Sequence, residues 1–407
     1  MDRKVFFAEF CRYLFYKNQV IVGNILEDGK WIKIPRSVFE YLKGHIDNHS
    51  TIRQILDEAD SEEEYKFYDN LLRNLFLIRS LRFEEDMLDF KLESLSLDLT
   101  SKCNLRCKHC STAFGEIPNI DLSVEDMKRI VQWAEDKKIE KLTLTGGEIF
   151  VLPDIMERLK TIRRIFSGKI DIITNATLIS PSMMTELIKC VDAINISLDG
   201  YDKQSVDRIR GKDVYEKVIS CVAQLKVLKF SKISLSMILT EENYKNREKF
   251  IHLCQELDVK PMTRVLNPRG RAKKNYEELR ITNDKIVYTD DELEEIKKNL
   301  TMKSTCGAGN TTIAIYSNGE VHPCAAMDEI NECVGNLQDL INEKIKLRSL
   351  LSDCKVEYIE TCKECPVRYF CSDTCKAMNN TIFDNPQFRK ERCKKLKNLY
   401  IDLVWNE

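Results

Sequence analysis

Cys103, Cys107 and Cys110 lie in the stretch LDLTSKCNLRCKHCS, separated by three residues and then by two. Three thiolates on one short loop can hold three irons of a 4Fe–4S cube and leave the fourth iron without a protein ligand. An open iron is a place for a small molecule to bind, so the loop points to catalysis more than to electron storage. The competing reading is a structural zinc knuckle, but structural zinc closes its coordination with four ligands. A second cysteine set lies near the C-terminus. Cys306 is followed after twelve residues by Gly319 and after four more by Cys324. Cys362, Cys365, Cys371 and Cys375 come next at intervals of two, five and three residues, and Cys393 lies seventeen residues beyond. A zinc ribbon can claim Cys362 and Cys365 but leaves the other spacings unexplained. Between the two sets stands Gly146-Gly147-Glu148. The glycines let backbone approach a ligand closely, and the carboxylate can accept charge-assisted hydrogen bonds from an ammonium group.

The elements that position these residues are legible in outline. From about 91 to 285, ESLSLDLT, KLTLTG, KIDIITN, AINISLDG, KISLSMILT and VKPMTRVLN read as strands. Amphipathic segments such as SVEDMKRIVQWAEDKK separate them, so the pattern is a run of βα units with a parallel sheet. The cysteine loop follows the first strand and the Gly-Gly-Glu the second. Asn175 follows the third, and Ser197 and Asp199 end the fourth. Trp133 lies on a helix and is expected in the core. Residues 1–88 read as a smaller module: strands CRYLFY, QVIVGNIL and KWIKI with a hairpin signal at Asp28-Gly29, then three helices. Pro35 opens the first, with Val38 and Leu42 on one face; Ile52, Ile55 and Leu56 mark the second, and Tyr65, Tyr68, Leu72 and Leu75 the third. Residues 268–300 are highly charged and read as a bridge. Residues 286–407 comprise this bridge and a small metal-stabilised domain, with Ser317-Asn318-Gly319 as a hairpin turn.

Composition narrows the class. The chain has 407 residues, enough for two or three domains. A net charge of −2 gives no electrostatic footprint for nucleic acid. No apolar run reaches membrane-span length, and charges interrupt the N-terminal MDRKVFFAEFCRYLFYKNQ too early for a signal peptide, so a cytoplasmic location is expected. Sixteen cysteines in such a chain point to metal or redox chemistry rather than disulfides. Exposed clusters are oxygen-sensitive, which implies an anaerobic setting.

The cysteine loop and the Gly-Gly-Glu one strand later resemble the radical S-adenosylmethionine (SAM) enzymes, whose fold is a partial (β/α)6 barrel. The resemblance implies that SAM chelates the open iron through its amino and carboxylate groups, and that reductive cleavage yields a 5′-deoxyadenosyl radical. It implies SAM contacts at Gly146, Gly147, Glu148, Asn175, Ser197, Asp199 and Arg210. For Arg210, in RIRG, a surface salt bridge is the competing role. Lys102, Asn104 and Arg106 flank the loop without an assigned role. The C-terminal set resembles the seven-cysteine SPASM domain with two auxiliary clusters. By that resemblance Cys362, Cys365, Cys371 and Cys393 close one, and Cys306, Cys324 and Cys375 hold the other, giving three iron–sulfur clusters in all. The further cysteine that some relatives carry just before the position of Cys306 is missing from NLTMKST. Cys333 or Cys354 can fill the gap, or the iron stays open for a substrate thiolate. Cys190, Cys221, Cys254 and Cys11 are expected to be plain buried thiols. Residues 1–88 resemble a winged-helix leader-peptide recognition element of the pyrroloquinoline-quinone chaperone type, which binds peptide as an added strand.

Together these resemblances imply a peptide maturase. It would act on a ribosomally made precursor peptide with a leader and draw electrons from a reductant such as flavodoxin or ferredoxin. A cysteine-to-carbon thioether crosslink is the expected product, with a carbon–carbon or carbon–oxygen crosslink as the alternative. Sulfatase maturases resemble the barrel but usually carry an aspartate where Ala325 stands. A non-catalytic iron–sulfur peptide-binding protein is the rival from another class.

Overall fold

The computed structural model describes the chain except residues 1, 26–28, 85, 87–91, 282–287, 289, 305, 328–331, 347–354, 372–374, 376, 378–385 and 407. The hairpin signal at Asp28 and the ligand candidate Cys354 lie outside the described residues.

The first 83 residues form two small sheets and three helices. Strands β1 (Val5–Phe7) and β5 (Leu81–Phe83) pair antiparallel, and β2 (Cys11–Tyr16), β3 (Gln19–Asn24) and β4 (Trp31–Pro35) form a second sheet in that order. Pro35 closes β4 and caps helix α1 (Arg36–Asp47) rather than entering it. Helix α2 (Ile52–Asp57) starts from a capping box of Thr51 and Gln54, and α3 (Glu62–Leu77) starts from Ser61 with three glutamates in its first turn. Phe39, Leu42, Ile55, Leu72 and Leu75 face Val20 and Val22 of β3 in one apolar cluster. Of the expected positions Tyr65 is exposed and Tyr68, Leu72 and Leu75 are buried, together with Leu71, which was not expected there. Alternation along a strand sends neighbours to opposite faces, and here both faces are covered. Leu14 and Ile21 pack with Met302, Val367, Tyr369, Val404 and Trp405 from the far end of the chain.

All six expected strands of the second region are present: β6 (Ser94–Asp98), β7 (Lys141–Thr145), β8 (Lys169–Thr174), β9 (Ala193–Ser197), β10 (Ile233–Leu239) and β11 (Lys260–Val265). They pair in parallel in sequence order. Helices α4 (Val124–Asp136), α5 (Ile155–Ile165), α6 (Pro181–Cys190), α7 (Lys203–Arg210), α8 (Val214–Val227) and α9 (Arg247–Glu256) lie between the strands in sequence. Cys190, Cys221 and Cys254 are buried in this core and Trp133 packs against it. Burial pushes the thiols of Cys221 and Cys254 up to about 12, so they stay protonated and inert; Cys11 behaves likewise in the N-terminal cluster.

The sheet does not stop at β6. Strand β12 (Thr312–Ile315) pairs parallel with β6, and β13 (Glu320–His322) and β14 (Gly335–Asn336) continue antiparallel. The C-terminal segment, read from sequence as separate from the barrel, thus extends the barrel's own sheet. The expected turn is present: the Gly319 N–H donates to the Tyr316 carbonyl at 2.8 Å, with Gly319 at φ 83°. Among the described residues no helix is long and apolar enough to cross a membrane.

Candidate active site

The cysteine loop leaves the C-terminal end of β6, the end at which barrel chemistry gathers. The three sulfurs sit near one another. Burial first, with the neighbouring Cys107, Glu148 and Cys110 adding to it, pushes the Cys103 thiol up to about 11, and the Leu105 N–H donates to its sulfur at 3.4 Å. Burial likewise pushes Cys107 up, against the nearby Arg210 guanidinium, whose Nη1 lies 3.8 Å from the Cys107 sulfur. Three crowded thiols, Cys107 buried and the other two partly so, with an N–H at the Cys103 sulfur and a guanidinium at that of Cys107, suit a cluster, since a bound metal holds them as thiolates.

Gly146 and Gly147 press against this loop. A Cβ at Gly147 would stand 2.0 Å from the Lys102 carbonyl oxygen, and one at Gly146 2.3 Å from that of Thr100. The Glu148 N–H donates to the Lys102 carbonyl at 2.8 Å. The Glu148 carboxylate is 1% exposed. It accepts from the Thr174 hydroxyl at 2.7 Å, the Phe150 N–H at 3.2 Å and the Asn175 N–H at 2.6 Å. A carboxylate offers about four acceptor sites, so one stays open for an ammonium. Burial raises the Glu148 pKa in spite of these bonds, so the site favours a cation that would stabilise the ionised form. The Asn175 side chain is tied to Asn104 at 2.9 Å and to Thr177, which gives Asn104 a positioning part that sequence reasoning did not assign.

Asp199 has no exposed surface and sits in left-handed backbone at φ 67°. Its carboxylate accepts from the Ile238 N–H at 2.6 Å, from Arg210 Nη2 at 2.5 Å, and lies 2.5 Å from His109 Nε2. Burial works against its ionised form, but the Arg210 guanidinium foremost, with the His109 ring and the Ile238 N–H beside it, outweighs this and holds the carboxyl below the usual range. As placed, Asp199 acts on Arg210 and His109 and would reach a ribose only through them. Arg210 is buried, which removes the surface salt-bridge reading. Its Nε has no hydrogen-bond partner among the described residues, an orphan donor suited to a carboxylate. Ser197 ends β9, opposite Ser236 of β10.

Sequence reasoning missed His109 and Arg271. The first stands between Cys107 and Cys110, and its position was the available signal. Arg271 lay in the segment read as a bridge. Its Nε donates to the Cys107 carbonyl at 2.9 Å and its backbone N–H to that of Cys110 at 2.9 Å, so the segment after β11 clamps the cysteine loop.

In the C-terminal region, burial foremost, then the neighbouring Cys306 and Cys375, push the Cys324 thiol up to about 11, so these three lie together. Cys324 and Cys375 share an apolar cluster with Ala308, Met327 and Ala377. Cys362 and Cys365 pack beside the N-terminal sheet's second face, and the helices carrying Cys371 and Cys393 touch. Cys333 is grouped with Glu320 and His322.

Residues 97–254 match the Radical SAM superfamily, and residues 306–366 match SPASM, an iron–sulfur cluster-binding domain. The chain is a radical SAM enzyme with a SPASM domain. SAM and several iron–sulfur clusters are therefore its cofactors, as these domains imply. The radical SAM match spans the cysteine loop, Glu148, Asp199 and Arg210; the SPASM match ends before Cys371, Cys375 and Cys393. The radical SAM–SPASM chain is 26% identical over 278 residues to a "Probable GTP 3′,8-cyclase" of Saccharolobus islandicus, covering 67% of this chain and 90% of that one. It is 27% identical over 250 residues to "Mycofactocin maturase MftC" of Mycobacterium tuberculosis, covering 56% and 63%. Its fold is similar to that of Streptococcus suis SuiB. The form bound to S-adenosylmethionine has a TM-score of 0.55 at 16% identity, covering 91% of this chain and 96% of SuiB. The form bound to precursor peptide SuiA has a TM-score of 0.53 at 17% identity, covering 92% and 96%.

Proposed function

We propose that this enzyme modifies a ribosomally made precursor peptide and forms a crosslink from a peptide cysteine sulfur to carbon. The observation that carries the reading is the grouping of Cys306, Cys324 and Cys375, three thiols among the described residues at a site where a saturated cube needs four ligands. The fold likeness to SuiB, recorded with a precursor peptide, supports a peptide as substrate.

Cys103, Cys107 and Cys110 would hold the cluster at which bound SAM would supply radical chemistry for hydrogen removal from the peptide, and Cys306, Cys324 and Cys375 would hold an auxiliary cluster able to accept the one electron left over when the bond forms. This chain's own residues bind and orient: Glu148 would take the SAM ammonium and Arg210 its carboxylate, with Asp199 and His109 holding Arg210 in place. Cys362, Cys365, Cys371 and Cys393 would hold the second auxiliary cluster. The peptide thiol loses its proton, the carbon loses a hydrogen, and a carbon–sulfur bond forms. A flavodoxin- or ferredoxin-class reductant would supply the initiating electron. The leader would dock at an open edge of the β2–β3–β4 sheet, where β2 and β4 are the outer strands.

The test is co-expression with the small open reading frame beside the gene, then mass spectrometry of the peptide. A loss of two hydrogens per crosslink, with one cysteine lost to alkylation each time, supports the thioether. The same mass loss with every cysteine still alkylated overturns it in favour of carbon–carbon or carbon–oxygen bonding.

A further inference from the structure

Hairpin β12–β13 carries a set of ligand-type side chains apart from the clustered cysteines. Glu320 and His322 stand two residues apart on β13 and share a face. The Val334 N–H donates to the Val321 carbonyl at 2.8 Å, which brings Cys333 alongside. A Glu320 oxygen, a His322 ring nitrogen and the Cys333 sulfur all lie within 4.8 Å of one another. His322 is 1% exposed. Its Nε2 lies 3.3 Å from Glu320 Oε2, and its buried Nδ1 has no hydrogen-bond partner among the described residues. The Tyr316 ring meets it edge-on at 4.7 Å and fixes its plane. The Cys333 thiol makes one weak bond, to the Gly335 carbonyl at 3.2 Å.

We propose that Glu320, His322 and Cys333 bind a mononuclear divalent transition cation of the zinc class, separate from the iron–sulfur clusters. Carboxylate oxygen, imidazole nitrogen and thiolate sulfur are all zinc donors, with bonds of about 2.0–2.3 Å. Donors around a tetrahedral ion of that size stand about 3–4 Å apart, so rotation of the Glu320 and Cys333 side chains closes the site. One thiolate beside nitrogen and oxygen is a poor match to the all-thiolate ligation of an iron–sulfur cube. Glu320, 37% exposed, opens the fourth position to water. The ion ties β13 to the returning strand two residues before Cys324, and it withdraws Cys333 from the ligands available to the first auxiliary cluster.

The experiment uses the full-length protein, reconstituted anaerobically with iron, sulfide and zinc and then challenged with a chelator. Zinc and iron per chain are measured by plasma mass spectrometry for the wild type, His322→Gln, Cys333→Ser and the half-exposed Glu320→Gln. The expected result is about one zinc per chain in the wild type. Retention falls at least tenfold in His322→Gln and Cys333→Ser and by a smaller factor in Glu320→Gln, with iron unchanged. Cobalt in place of zinc gives a sulfur charge-transfer band that Cys333→Ser abolishes. A wild type that retains neither zinc nor cobalt overturns the proposal. So does a Cys333→Ser protein that loses iron while His322→Gln keeps its full metal content, because Cys333 then serves a cluster.

Discussion

At the scale of single residues, the proposed SAM site is a set of buried charged side chains that compensate one another. Asp199→Asn leaves the Arg210 guanidinium without its buried counter-charge, and we expect destabilisation of about 3–5 kcal/mol in a denaturant titration, with weaker SAM binding. Glu148 provides a pH signature. Its folded pKa is raised above 4.5 by burial, so without SAM its contribution to stability is largest below 4.5 and declines as pH rises through the folded value. An ammonium beside it favours the ionised form. The stabilisation that SAM gives the wild type should therefore grow across that window, and it should be flat with pH in Glu148→Gln; melting curves with and without SAM read both. Replacing Cys103, Cys107 and Cys110 together by alanine should abolish 5′-deoxyadenosine formation while the auxiliary iron stays bound. The cysteine loop was legible because its three cysteines are local, with three and then two residues between them. The His109–Asp199 contact was not, because it joins residues 90 positions apart whose types carry no mutual spacing.

At the scale of elements, the cysteine loop is held from two sides, by the glycines after β7 and by the segment after β11. Gly147→Ala sets a Cβ 2.0 Å from the Lys102 carbonyl oxygen, which also accepts the Glu148 N–H. It should cost the SAM cluster alone, so that iron per chain falls by roughly one third, and SAM titration by calorimetry should give no heat. A helix cap gives a contrasting, purely structural change: Thr51→Ala removes one half of the α2 capping box and should cost about 1 kcal/mol with SAM cleavage unchanged. The barrel strands were legible because β6, β7, β8 and β9 alternate apolar and polar residues and β10 is largely apolar, whereas β11, KPMTRV, carries neither pattern and followed only from its place in the βα run. Strands β1 and β5, three residues each, are too short to carry a period. The pairing of β12 with β6 joins segments more than two hundred residues apart, and nothing in either stretch names its partner.

At the scale of the whole molecule, the N-terminal sheet lies between its own helices and the C-terminal segment. Leu14 and Ile21 bury against Met302, Val367 and Trp405, Arg12 pairs with Glu357 at 3.1 Å, and the Met302 N–H donates to the Gly29 carbonyl at 2.8 Å. Deleting residues 1–88 uncovers that apolar face, so the truncated protein should melt lower and aggregate. A change on the outer strand separates docking from stability. Phe15 is 42% exposed on β2, and Phe15→Ala should weaken binding of the leader peptide severalfold in an anisotropy titration while leaving SAM cleavage without peptide intact.

The same junction has an optical consequence. Two of the chain's three tryptophans sit in it. Trp31 meets the Phe370 ring edge-on at 5.2 Å and bonds the Leu300 carbonyl, and Trp405 lies 5.4 Å from the Tyr16 ring and bonds the Pro366 carbonyl. Trp133 sits on α4 of the barrel, away from both. Intrinsic fluorescence thus reports from this seam without any added dye, and Trp133→Phe would leave both remaining emitters there. A leader that pulls on the β2–β3–β4 sheet would then announce itself as a change in the colour of the protein's own emission.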